Sequence, residues 1–348
     1  NAYNTAVGHK AGYAVSTGVR NTILGGLAGD ALTTGGNNVA LGYAALSGED
    51  GHGRNVAIGA GALYALNAGA DAYNIAIGYD AGGSMSTGKE SVIIGGLAGD
   101  AITTGTRNTL IGHTAGSALV EGGSNVAVGY QALLSEDAHS ANTAIGYNTL
   151  GTQNAGADAF NVAVGYKAGE AVTTGTNNTL IGALAGDALT TGSFNVALGK
   201  SALSTEDAHG KNVAIGYAAL ETQDAGADAY NVAVGFNAGN AVTTGTFNTI
   251  IGGLAGDALT TGTSNVAIGY AALSAEDAHG FNVAIGRQAL QSLDAGSNAY
   301  NVAVGAQAGL SVSTGTLNTL VGGSAGDALT TGVRNVALGY NALSTEDA

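Results

Sequence analysis

The sequence has no cysteine, no proline, no tryptophan and a single methionine. Without cysteine no disulfide can form, and thiol usage says nothing about the redox compartment. Charge is scarce at 10% of residues, and Lys and Arg together number 10 against 25 Asp and Glu. The formal net charge of −15 argues against electrostatic attraction to nucleic acid or to an anionic membrane. No stretch approaches the length of a transmembrane helix, and no signal peptide is visible. What the chain has instead is glycine, 60 residues of 348. Strands alternating with glycine turns have this composition, and a packed helical domain does not.

Internal repetition organises the whole chain. A pentad Asn-[Val/Thr/Ile]-[Ala/Ile/Leu]-[Val/Ile/Leu]-Gly recurs twenty times from Asn4 to Asn335, with Ser91 replacing its Asn once. The pentads are 17 residues apart, except for steps of 19 after Asn55, Asn142, Asn212 and Asn282. Three short coils and one long one make a 70-residue super-repeat, into which residues 108–124 insert one extra coil. Whole-coil insertion marks the 17-residue coil as the structural unit, as in a solenoid whose repeats contact mainly the next repeat. Both termini fall inside repeats, so residues 1–348 read as one continuous region and a window on a longer fibre.

Seventeen residues suit a β-coil of two short strands and two turns, with a five-residue strand spanning roughly 17 Å. The expected class is all-β, a parallel β-solenoid of about twenty coils. The pentad Asn is position one of each coil. Positions two and four, Val196 and Leu198 for example, are expected to face the core. Position five is always Gly (Gly165, Gly182, Gly199, Gly216), which implies positive φ or close backbone approach. Asn161, Asn178, Asn195 and Asn212 are expected to stack at about 4.8 Å, bonding amide to amide and capping the turn before each strand. Position eight is Ala in every coil but one. Positions nine and twelve trade bulk: Gly at nine (Gly186) goes with an apolar twelve (Leu189), and Leu at nine (Leu203) usually with Glu or Gln (Glu206). That pattern reads as one core slot filled from either side.

With two and four inward, position three faces out, yet it is always Ala, Leu or Ile. Ile23, Ile93, Leu110, Leu180, Ile250 and Leu320 are its large members. An apolar stripe about 95 Å long over twenty coils calls for a covering chain, most simply a sister copy in a cyclic homo-oligomer.

The segments NVAIGYAAL (212–220) and NVAVGYKAG (161–169) resemble the head repeats of trimeric autotransporter adhesins of the YadA type. They are similar too to repeats of phage tail fibres and bacterial surface fibres. The resemblance covers nearly the whole chain. It implies a left-handed β-roll, three chains side by side, and surface display or attachment. Asn195, Val196, Leu198, Gly199 and their equivalents take the family's structural positions.

Chemistry-bearing patterns are few. EDAH recurs at 136–139, 206–209 and 276–279, with EDGH at 49–52. Glu206, Asp207 and His209, with Asp224 and Asp228 from the next coil, form a candidate Ca²⁺ site; a solvated acidic turn is the expected reading. No cofactor is therefore expected. Asp30, Asp100, Asp187, Asp257 and Asp327 lie mostly 70 residues apart, about 19 Å along the stack, too far to share a metal. Tyr3, Tyr73, Phe160, Tyr230 and Tyr300 offer an aromatic sugar-binding strip, but are expected to pack the long loop onto the roll. Thr pairs such as Thr190-Thr191 raise ice binding, yet occupy only about half the coils. No nucleophile–base pair stands out, so no enzyme is expected. The sequence-level expectation is a non-enzymatic shaft of an extracellular, cell-surface or virion fibre that associates with itself. The alternatives are an adhesin head gripping glycan or matrix, and a monomeric ice- or Ca²⁺-binding solenoid.

Overall fold

The computed structural model of the protein describes residues 2–345. It is an all-β parallel solenoid with one coil per pentad, and the chain divides into two compact units, Asn1–Thr176 and Asn177–Ala348. Each unit holds ten coils. Among the described residues every coil contributes one strand of three residues, the first Thr5–Val7 and the last Val336–Leu338. Within each unit every strand pairs in parallel and in register with the next: Val196 with Val213, Ala197 with Ala214, Leu198 with Ile215.

Among the described residues the second strand expected in each coil does not form. After the position-five glycine the backbone turns through residues of alternating φ. Ser201 (φ 56°) and Leu203 (φ 53°) are left-handed, and so is Lys211 (φ 66°) just before the next pentad. A left-handed residue at every second position shortens the path and cannot sustain a pleated strand. Its backbone groups still pair between coils: Ser201 N donates to Ala183 O at 3.0 Å, and Leu203 N to Ala219 O at 3.0 Å. The opposite wall of the coil is thus a column of stacked turns rather than a second sheet.

The phase of the strand is the reverse of the sequence expectation. Ile23 is 1% exposed, and Ile93, Leu110, Leu180, Ile250 and Leu320 are wholly buried, as is Ala197. Position three is therefore the core, and these six residues form no oligomer face. Positions two and four turn outward, Leu198 at 41% and Ile251 at 37% exposure. Apart from Thr at position two in seven coils, the strand positions are apolar, so volume more than polarity sets the phase. The narrow interior admits Ala in fourteen of twenty coils at position three, and excludes a continuous pair of β-branched columns.

The exchange of bulk between positions nine and twelve is a packing fact. A Cβ on Gly186 would stand 2.8 Å from both Leu189 Cδ1 and Leu180 Cδ2. In the other coil type Leu203 fills the space from position nine, and Glu206 at twelve is itself fully buried. Position-five glycines meet both of their expected constraints: Gly199 has φ 140°, and a Cβ there would lie 2.2 Å from the Gly216 carbonyl oxygen of the next coil.

The asparagine column is buried, but its bonding differs from an amide-to-amide ladder. Asn195 Oδ1 accepts the backbone N–H of Asn212 at 3.1 Å, and Asn195 Nδ2 donates to His209 O at 3.2 Å. One side chain thereby ties its coil to the next and closes its own coil fourteen residues on. A residual amide-to-amide contact appears at Asn282 Nδ2 to Asn265 Oδ1, 3.3 Å. In the long coils the two-residue insertion displaces the closing carbonyl. Asn142 Nδ2 and Asn212 Nδ2 then have no partner, and those of Asn55 and Asn282 turn to Gly53 and Gly280. The following coil compensates: Asn231 Nδ2 donates to Gln223 Oε1 at 2.6 Å, and Asn161 Nδ2 likewise to Gln153.

Candidate metal-ligating clusters

The EDAH corner follows from the coil geometry. Leu203 at position nine leaves room at twelve for a side chain reaching inward, and Glu206 occupies it with no exposed surface. The buried carboxylate accepts the His209 backbone N–H at 3.2 Å through Oε1, which folds the corner back and sets the imidazole beside it. His209 Nδ1 lies 3.6 Å from that oxygen; the equivalent distance is 3.1 Å for His139–Glu136 and 3.2 Å for His279–Glu276. Asp207 stays exposed. The next coil brings position thirteen, Asp224, over the same corner.

Glu206, Asp207, His209 and Asp224 offer donor atoms all within 4.8 Å of one another, and Glu276, Asp277, His279 and Asp294 repeat the arrangement. The corners at Glu49, Asp50, His52 and at Glu136, Asp137, His139 bring together three donors each. The glutamates are thus not part of a solvated acidic turn, as the sequence reading had it; Glu49, Glu136, Glu206 and Glu276 are all completely buried. Burial pushes the Glu206 and Glu276 carboxyls above their ordinary range, while the His209 and His279 N–H groups pull the other way. Glu206 Oε2, Glu136 Oε2 and His209 Nδ1 have no hydrogen-bond partner.

Asp228 does not join the cluster. It accepts Lys211 Nζ at 2.6 Å and the Gly210 N–H at 3.1 Å. Those bonds, Lys211 foremost, hold its carboxyl below the usual range. The five Asp at position ten stay apart from one another: Asp30 accepts the Ser47 hydroxyl at 2.6 Å, and burial raises the carboxyls of Asp100 and Asp257.

The aromatic residues before the long-step pentads do not pack the loops inward. Tyr73, Phe160, Tyr230 and Tyr300 are about half exposed and Tyr3 more so. Two of them stack on rings of an adjacent coil, Tyr230 on Phe247 at 5.6 Å and Tyr300 on Phe281 at 5.1 Å, and cations lie over Tyr230 (Lys211, 5.0 Å) and Tyr73 (Arg54, 5.2 Å). A second column, missed in the sequence reading, runs His113, Tyr130, Tyr147, Tyr166 with centroids 5.4–5.7 Å apart. Its signal was the recurrence of Tyr directly after the position-five glycine. The Thr pairs serve the coil as well: Thr190 and Thr191 hydroxyls donate to the carbonyls of Asp207 and Ala208.

No protein-family model matches the chain, and no curated protein matches it. No helix among the described residues is long and apolar enough to cross a membrane.

Proposed function

We propose that the chain is the non-enzymatic shaft of an extracellular or virion fibre, built as a homotrimer of left-handed rolls lying side by side. The observation that carries this reading is the outer face of the strand. In twenty coils, position two is Val, Thr or Ile and position four is Val, Ile or Leu, with no charged residue in either column. Leu24, Ile75, Ile145, Leu198 and Ile251 are each more than a third exposed in the single chain. An uncharged face with one wholly aliphatic column and one of Val, Ile and Thr exceeds what a monomer ordinarily leaves to water, and a closed ring of identical faces removes it from water. The assembly rests on positions two and four, since position three is core. The acidic exterior, −15 per chain, keeps finished rods apart.

Adhesive use of the same surface is the second reading, favoured by the exposed rings. In the stacked pairs each ring covers one face of its neighbour, which reduces the area free to stack on a sugar. Sedimentation equilibrium tests the assembly: the expected species has three times the chain mass, and Leu198→Lys with Ile215→Lys and Ile268→Lys dissociates it while circular dichroism stays β-rich. A monomer at every concentration would sink the proposal. Rods in electron micrographs with no hit on a glycan array support the shaft; saturable glycan binding supports the adhesin.

A further inference from the structure

The geometry points to a divalent transition-metal site at each complete EDAH corner, formed by Glu206, Asp207, His209 and Asp224 and repeated at Glu276, Asp277, His279 and Asp294. It is independent of the shaft reading. Three observations converge. The first is proximity, with every donor within 4.8 Å of the others. In a six-coordinate site with bonds of about 2.1 Å, opposite ligands lie about 4.2 Å apart and neighbouring ones about 3.0 Å, so closure needs a movement that draws the donors together by roughly 1–2 Å. Exposed Asp207 and Asp224 are free to make it. The second is the buried carboxylate: Glu206 has no exposed surface and its Oε2 has no partner, whereas equally buried Glu276 accepts the Ala295 N–H through Oε2 at a long 3.5 Å, so the second corner rests on the repeated donor set. A buried acceptor with nothing to accept is costly unless a cation or proton reaches it. The third is the imidazole, whose Nδ1 has no partner at His209 and lies 3.2 Å from Glu276 Oε1 at His279, beside the carboxylate in both corners. One imidazole among carboxylates favours Zn²⁺ or Mn²⁺ over Ca²⁺, which takes oxygen ligands alone.

The molecule carries its own controls. At the two incomplete corners, the residue over the site from the next coil is Asn67 or Asn154 where the complete corners have Asp224 or Asp294. The position of the buried Glu is held by buried Gln153 and Gln223 in other coils, so Glu→Gln there is compatible with the fold.

Isothermal titration of the full chain with ZnCl₂, and separately with MnCl₂, in buffered saline containing excess MgCl₂ tests the site. The expected result is two tight ions per chain. Glu206→Gln with Glu276→Gln abolishes both, leaving the thermal midpoint in EDTA within a few degrees of the parent. Asp224→Asn with Asp294→Asn, which copies the incomplete corners, weakens binding at least tenfold. Asn67→Asp with Asn154→Asp raises the count of tight ions to four. Binding with unchanged stoichiometry in both loss variants, displacement of Zn²⁺ by the Mg²⁺, or no saturable binding would each overturn the assignment.

Discussion

At the scale of single residues, Asn195 fastens the coil through hydrogen bonds rather than apolar contact. It satisfies two backbone groups, the buried Asn212 N–H and the part-buried His209 carbonyl. Asn195→Ala leaves both without partners, at roughly 1–3 kcal/mol each. Ser91 shows what a shorter side chain retains: its Oγ accepts the Asn108 N–H at 3.2 Å, but it donates to Lys89 O rather than closing its coil. The expected order of thermal midpoints is therefore parent, Asn195→Ser, Asn195→Ala, read by calorimetry. Equal midpoints for Ser and Ala would show that the inter-coil bond contributes nothing. The sequence foretold that this column mattered, since nineteen Asn in twenty coils exceeds what a turn requires. It did not foretell the partners, because an amide has both a donor and an acceptor and the repeat alone does not say which backbone group lies opposite each.

At the scale of the strand and its turn, the fold class and the coil length were legible and the inside of the strand was not. A strand of three residues, polar only where Thr stands at position two in seven coils, gives little alternation from which to set the phase. The informative signal was size: Ala recurs at position three while the β-branched residues sit on either side of it. The turn wall had a readable signal too. Positions seven, nine and seventeen hold no Val or Ile in any coil, and Thr114 is the single β-branched residue among them. Those are the left-handed columns, where a branched Cβ is most strained. The buried Glu was half legible, because the exchange with position nine placed twelve in the core while its charge suggested water. Ala197→Leu tests the corrected phase. In its coil Leu203 already fills the slot, so the larger residue overpacks by about 1–3 kcal/mol. Urea unfolding is expected to show that loss for Ala197→Leu and little change for Leu198→Val on the outer face. The reverse order would restore the original phase.

At the scale of the whole molecule, each coil bonds chiefly to residues about seventeen positions away, so stability is a sum over neighbouring coils. Removing residues 108–124 would bring the Ile93 strand against the Ala127 strand. The same pairing, a large residue against Ala, already exists where Ile23 meets Ala40. The shortened chain is expected to keep its thermal midpoint within a few degrees, whereas deletion of 108–116 alone breaks the register. Equal loss in both deletions would show cooperative rather than nearest-neighbour coupling. Composition and repeat spacing announced this modularity, but the metal corners needed the coil geometry, which brings Asp224 over Glu206 across eighteen positions of sequence.

The four long coils give the solenoid a further property. Each lacks the side-chain clasp that fastens an ordinary coil fourteen residues on, and they recur once per super-repeat. Within each unit these coils are the expected first places for the ladder to open, ahead of their clasped neighbours.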